Sequence, residues 1–138
     1  MESVTIRSVR DGTELILSTE NYSSSEKLDI SVLGPSCSAR LATSSYHNGS
    51  PALLFRQMAA SWRGWEGEFS WSTLEGEFKM TATADRLGHI VLLAEIKSDV
   101  YPRAWELKAR LNLEAGSLDQ LYRSVAAVFP IHANAPAD

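Results

Sequence analysis

Apolar and polar residues alternate along much of this chain in short runs that end at turn signals, and this pattern constrains the fold more than any other feature. The clearest run extends from Phe78 to Ala84, and a second one extends from His89 to Lys97. Between them, Asp85-Arg86-Leu87-Gly88 has the composition of a reverse turn. Because a period of two is typical of a strand with one buried face, we predict an antiparallel hairpin here.

The same alternation predicts strands elsewhere in the chain, separated by turn signals such as Asp11-Gly12 and Gly34-Pro35. These strands are expected over residues 4–9, 14–18, 28–32, 37–43 and 105–113. Cys37 opens one of these runs, at a position where a small buried apolar residue would fit. As the only cysteine, it cannot form an internal disulfide.

The period changes to that of an α-helix in two segments of the chain. In the first segment, Leu54, Met58 and Trp62 lie four residues apart and form an apolar stripe. Ser50 is the predicted N-cap of this helix, and Gly64 is its predicted end. Such a stripe needs a sheet to cover it.

The second helical segment lies near the end of the chain, with Ser117 as its predicted N-cap and Pro130 as its stop. Its apolar residues at helical spacing are Leu118, Leu121, Tyr122, Val125 and Val128. The order of strands and helices lacks the strict alternation of a parallel sheet. We therefore predict an α+β fold, in which a two-layer antiparallel β-sheet of six to eight strands has two amphipathic helices on one face. Residues 1–130 are expected to form a single domain, and residues 131–138 a flexible C-terminal tail.

Composition narrows the class of partner. The 138 residues include 13 basic and 17 acidic side chains, for a net charge of −4, and Lys and Arg form no cluster. This argues against a nucleic acid as the main ligand. Because about 18 uncharged apolar residues never occur in a row, we expect no membrane contact and a cytoplasmic location. His47, His89 and His132 are too far apart for a zinc motif, so no metal or other cofactor is expected.

Three of the four tryptophans, Trp62, Trp65 and Trp71, fall within ten residues of sequence. Three indoles this close together could line a ligand pocket or anchor a protein interface. Core packing is the competing interpretation. We expect it for Trp62, at the end of the helical stripe, and for Trp71, at the start of a strand. Trp65 stands between two glycines and is the better candidate for the surface.

Glu66, Glu68, Glu75 and Glu77 form an acidic patch in the sequence. Paired carboxylates can carry out acid–base chemistry or hold a divalent cation, and a solvated strand face explains them equally well. No serine elbow, phosphate loop or dinucleotide fingerprint is present, so we predict no catalytic residue and favour a protein that is not an enzyme.

Asp85 and His89 flank the turn of the predicted hairpin and could meet across it, as an acid–base pair or as ordinary turn residues. Together with the tryptophans and glutamates above, they complete the set of candidate binding residues. This set is Trp65, Trp71, Glu66, Glu75, Asp85 and His89.

Several of these segments resemble one known family. They are Trp62-Arg63-Gly64-Trp65-Glu66-Gly67-Glu68-Phe69-Ser70-Trp71, Leu74-Glu75-Gly76-Glu77, Asp85-Arg86-Leu87-Gly88-His89-Ile90 and Leu113-Glu114-Ala115-Gly116-Ser117-Leu118. The chain is similar, over roughly residues 54–129, to an uncharacterised bacterial, actinomycete-type family of domains of unknown function, number 6228 in that series. The resemblance supports the fold and implies no activity, cofactor or catalytic residue.

Two functions from different classes follow from these observations. The first is a small protein-binding module that holds a protein partner through a charged sheet face or the Trp65 loop, with neutralisation of a basic toxin as one version. The second is a small-molecule receptor or small enzyme with a Trp-lined pocket closed by Glu75 or Asp85. A homodimer through open sheet edges is compatible with either function.

Overall fold

A computed structural model describes residues 2–23, 26–46, 48–98 and 104–131. Within these ranges, the chain forms eight strands and two α-helices, and a short 3₁₀ turn (Ala115–Ser117) precedes the second helix. The strands are β1 (Ser3–Arg7), β2 (Glu14–Ser18), β3 (Lys27–Leu33), β4 (Ser38–Ser44), β5 (Phe69–Ser72), β6 (Phe78–Ala84), β7 (His89–Lys97) and β8 (Glu106–Glu114). The helices are α1 (Ala52–Ala60) and α2 (Leu118–Val128).

The strands form two antiparallel sheets of four, with the orders β1-β2-β3-β4 and β5-β6-β7-β8. The predicted α+β class with antiparallel strands is confirmed, but the single sheet of six to eight strands with both helices on one face is wrong. Each strand pairs with its neighbour in sequence, and α1 separates β4 from β5. The second group of strands therefore forms its own sheet instead of extending the edge of the first one.

One hydrophobic core joins both sheets and both helices. Alternate residues of each strand enter it, such as Leu15 and Ile30 in the first sheet and Phe78 and Leu92 in the second. The two helices pack against each other; α1 also contacts β5, and α2 also contacts β1. Each helix therefore packs against the edge strand that begins the other half of the chain.

The helix ends agree only in part with the sequence pattern. The N-cap residue of α1 is Pro51, one residue after the predicted cap Ser50, whose hydroxyl nevertheless accepts the Ala52 N–H (3.0 Å). Ser117 is the N-cap residue of α2, as predicted, but it makes no side-chain capping hydrogen bond, and its hydroxyl donates to the Glu114 carbonyl oxygen (2.7 Å). The first helix ends at Ala60, one turn before the predicted end at Gly64.

Cys37 is exposed, and the prediction that it is buried is wrong. It lies in the turn before β4, where its carbonyl oxygen accepts the Gly34 N–H (2.8 Å). At the other end of the chain, Ile131 is the only residue of the predicted tail that is described, and it packs on the core. Among the described residues, no helix is long and apolar enough to cross a membrane.

Candidate functional site

The segment that links α1 to β5, residues 61–68, contacts the turn between β6 and β7. Gly64 has a φ of +109° in this segment, and a β-carbon there would lie 3.2 Å from the Asp85 carbonyl oxygen. Glycine is required both for this backbone conformation and for the close approach. We call residues 61–68 and 85–88 together the two-loop surface.

Trp65 anchors the two-loop surface to the sheet. Its indole N–H donates to the Ala82 carbonyl oxygen (3.2 Å), and its ring stacks on Phe69 with 4.8 Å between the ring centroids. Trp65 is half-buried, so the expectation of a surface residue is correct only for part of the side chain. Trp65 also lines a cleft between the two loops.

Asp85 and His89 meet across the turn, as their spacing suggested. One Asp85 carboxylate oxygen accepts the main-chain N–H groups of Leu87 (2.8 Å) and His89 (3.0 Å), and the other lies 3.0 Å from His89 Nδ1. The His89 main-chain N–H is the largest cause that holds the pKa of Asp85 below its ordinary value, and the Leu87 N–H adds to it. Both oxygens of this carboxylate therefore take part in the contacts that hold the turn.

The cleft between the loops has a volume of about 440 Å³ and is open to solvent. Its lining residues are Arg63, Gly64, Trp65, Glu66, Gly67, Ala84, Asp85 and Arg86. Three of the six candidate binding residues, Trp65, Glu66 and Asp85, therefore lie together here, and His89 lies at the edge through its contact with Asp85. The sequence reasoning missed the two arginines, although both lie in segments that carry strong turn signals.

Two large apolar side chains are exposed on the two-loop surface. Trp62 is 55% exposed and Leu87 is 80% exposed. The Arg63 guanidinium lies over the Trp62 ring, 5.0 Å from its centroid. The prediction that Trp62 belongs to the core is wrong, because α1 ends at Ala60 and Trp62 therefore no longer follows the apolar stripe of the helix.

The other candidate residues lie elsewhere. Trp71 is 6% exposed and packs edge-to-face on Phe78, with 5.9 Å between the ring centroids. Its indole nitrogen is buried without a hydrogen-bond partner in the described part of the chain. Trp71 is thus a core residue, as expected from its place at the start of a strand. It does not reach the cleft.

Glu75 is exposed on the turn between β5 and β6. This turn lies at the opposite end of the two strands from Trp65, because Ser72 pairs with Lys79 at one end and Phe69 with Ala82 at the other. The acidic patch of the sequence is therefore split between two ends of one hairpin. A pocket closed by Glu75 together with the tryptophans is not formed.

Metal-binding geometry is absent from the described residues, where no group of three or more His, Cys, Asp or Glu side chains could hold an ion. Glu66 and Glu68 are exposed in the two-loop surface. Glu77 is half-buried at the other end of β5 and β6 and accepts a hydrogen bond from the Thr43 hydroxyl of the first sheet. That contact connects the two sheets.

Comparison with known proteins identifies the family. The model of a family of unknown function, DUF6228, matches residues 8–131, which is most of the chain. No curated protein and no solved structure matches the chain. The match confirms the resemblance seen in the tryptophan-rich segment and in the segments that follow it. The protein therefore belongs to the DUF6228 family of unknown function.

Proposed function

We propose that this protein is a protein-binding module and that the two-loop surface holds its partner. The observation that carries the proposal is the exposed Trp62 with the Arg63 guanidinium over its ring. Tryptophan and arginine are enriched among the residues that contribute most to protein interfaces. Leu87 and Arg86 lie in the facing loop and supply a second apolar and a second basic group.

The rigidity of the two loops supports the same proposal. Trp65 is fixed by its hydrogen bond to Ala82 and by its stacking on Phe69, and the Asp85 carboxylate fixes the facing turn. Side chains held in this way lose little conformational entropy when a partner binds. The exposed Trp62 is therefore presented from a surface that is already ordered.

The chemistry of the cleft favours binding over catalysis. Both oxygens of the Asp85 carboxylate are engaged, by the Leu87 and His89 main-chain N–H groups and by His89 Nδ1, so this group is occupied in holding the turn. The buried polar side chains in the described part of the chain are all Ser or Thr. A small-molecule receptor that uses the open cleft beside Trp65 is the alternative proposal.

The charge of the surface bears on the kind of partner. Arg63 and Arg86 stand beside Glu66 and Asp85, so both signs of charge are present. A partner with mixed charges complements this surface better than a uniformly basic one. Toxin neutralisation stays one version of the proposal, and its support is the net charge of −4 of the whole chain.

The test is capture of a partner from cell lysate on immobilised protein, comparing Trp62→Ala with Trp105→Ala. Trp105 is also an exposed indole, but it lies just before β8, at the opposite end of the second sheet from the two-loop surface. We expect Trp62→Ala to weaken binding of the captured partner by at least about tenfold and Trp105→Ala to leave it unchanged. A partner that binds Trp62→Ala as tightly as the wild type would overturn the assignment of this surface.

Native mass spectrometry of the protein purified from the same lysate distinguishes the small-molecule receptor from the protein-binding module. A bound species of low mass that is lost in a Trp65→Ala variant would favour the receptor. Circular dichroism of each variant establishes that the fold is retained. The salt dependence of partner binding measures how much of the affinity comes from charge.

A further inference from the structure

Strand β1 is an edge strand, and one side of its backbone faces away from β2. At its two ends, Ser8 exchanges main-chain hydrogen bonds with residues 12 and 13, and Glu2 accepts the Thr19 N–H (2.8 Å). Hydrogen-bonded pairs alternate along an antiparallel ladder, so the even-numbered residues of β1 bond β2. The main-chain groups of Ser3, Thr5 and Arg7 therefore point to the open side.

The first sheet meets the second one at a single point along this open side. Val9 is the next odd-numbered residue after Arg7. Its N–H donates to the Asn112 carbonyl oxygen of β8 (2.9 Å). The Asn112 N–H donates to the Ser8 hydroxyl (3.0 Å). From there β1 and β8 diverge, because β8 ends at Glu114 and the chain turns into α2. Thr5 and Arg7 are left with no hydrogen-bond partner for their N–H groups among the described residues.

A cleft of about 500 Å³ lies between the open edge of β1 and the side of α2. One wall is the whole of β1, residues 3–7. The other lining residues are the apolar Leu113 and Leu121 and the polar Ser117, which precedes α2, and Gln120 and Ser124 of α2. We call this the β1–α2 cleft. It is separate from the two-loop surface, with which it shares no residue.

We propose that the β1–α2 cleft binds an extended peptide segment of a partner protein, which adds to the first sheet as a fifth strand beside β1. Unpaired N–H and C=O groups at every second residue are complementary to the backbone of another strand. The hydrogen bond from the Val9 N–H to the Asn112 carbonyl oxygen already pairs this open edge with another strand, and the peptide would continue that pairing along β1. Leu113 and Leu121 then contact alternate side chains of the peptide.

Charge defines the peptide further. Arg7 is the one charged residue among those that line the β1–α2 cleft, but its guanidinium lies beside Gly12 in the turn between β1 and β2. The other side chains that line the cleft are neutral, so a peptide with apolar or uncharged residues fits it best. Because α2 forms the opposite wall, the cleft admits one extended chain more readily than the edge of a second copy.

The test is selection of binders from a library of random peptides displayed on phage, with the full chain as the target. Synthetic copies of the enriched peptides are then titrated against the wild type, Thr5→Pro and Thr5→Ala. Proline is tolerated in an edge strand where its missing N–H faces outward, so Thr5→Pro removes one cleft-facing donor and leaves the ladder to β2 in place. Thr5→Ala shortens the same side chain and keeps the donor.

We expect the enriched peptides to bind Thr5→Pro about tenfold or more weakly than Thr5→Ala. Hydrogen exchange of the Thr5 and Arg7 amides should slow when such a peptide binds the wild type. If Thr5→Pro does not fold, Gln120→Trp fills the cleft from α2 and should cause the same loss of binding. Trp62→Ala should not alter peptide binding, which keeps this test independent of the proposed function.

Three outcomes would overturn the proposal. The first is that no peptide is enriched. The second is that the enriched peptides bind Thr5→Pro, or Gln120→Trp in its place, as tightly as the wild type. The third is a wild-type dimer in sedimentation experiments that Thr5→Pro converts to a monomer, because a second copy would then be the occupant of the cleft.

Discussion

The hydroxyl group of Ser50 donates a hydrogen bond to the carbonyl oxygen of Phe129, 2.5 Å away, and so connects the residues that precede α1 to the residue that follows α2. The same hydroxyl accepts the Ala52 N–H (3.0 Å). Ser50 and Phe129 are both buried. This contact joins the two halves of the chain in addition to the side-chain packing between the helices.

Replacement of Ser50 by alanine should lower the free energy of unfolding by about 1–3 kcal/mol, because it leaves a buried carbonyl group and a helix N–H group without their partner. Urea unfolding monitored by circular dichroism measures the change. The matched control is Ser36→Ala, at an exposed serine in the bend between β3 and β4, where the change should stay within about 0.5 kcal/mol. Equal effects of the two substitutions would contradict the role given to the Ser50 contact.

The tryptophans should separate into a core residue and a surface residue. Trp71→Ala should cost about 3–5 kcal/mol of stability, because it opens a cavity beside Phe78 in the core. Trp62→Ala should cost less than about 1 kcal/mol, because it loses only an exposed ring and its contact with Arg63. Chemical denaturation of both variants makes the comparison, and a larger loss for Trp62→Ala would show that the assignment is reversed.

Gly64 should resist substitution because of its backbone. Gly64→Ala places a methyl group 3.2 Å from the Asp85 carbonyl oxygen at a φ of +109°, so we expect a loss of about 1–3 kcal/mol and weaker partner binding. Gly116→Ala is the control, since a β-carbon there meets nothing within 4 Å. It should be neutral or stabilise the protein by up to about 1 kcal/mol. Thermal unfolding of the two variants provides the measurement, and an unaltered Gly64→Ala protein would contradict the close approach of the loops.

Asp85 should make stability depend on pH in the acid range. Its pKa in the folded protein lies below the ordinary value of 3.8, so the unfolded chain takes up the proton first as the pH falls. The contribution of the carboxylate is complete above pH 3.8 and is lost as the pH falls through the pKa of the folded state. A ¹³C NMR titration of the Asp85 carboxyl group should have its midpoint below 3.8, and Asp85→Asn should lose less stability than the wild type on acidification. A midpoint at or above 3.8 would contradict the hydrogen bonds to Leu87 and His89.

Local patterns were enough to predict the hairpin of β6 and β7 and the contact between Asp85 and His89. Both depend on residues that are neighbours in sequence, and the turn places them together regardless of the rest of the fold. The burial of Trp62 and Cys37 was predicted wrongly because each lies at the end of a periodic run. There, one residue more or less of helix or strand changes which side chains face the core.

The sequence by itself determined the antiparallel strands, the two helices and the family. Strand alternation, helical spacing and the tryptophan-rich motif are all patterns of residues that lie close together in the sequence. Only the tertiary structure decided that the strands divide into two sheets, that Glu75 lies far from Trp65, and that α2 stands beside the open edge of β1. These relations join residues that are distant along the chain, and they depend on how both sheets share one core. The local repeats in the sequence do not indicate how the strands divide between the two sheets.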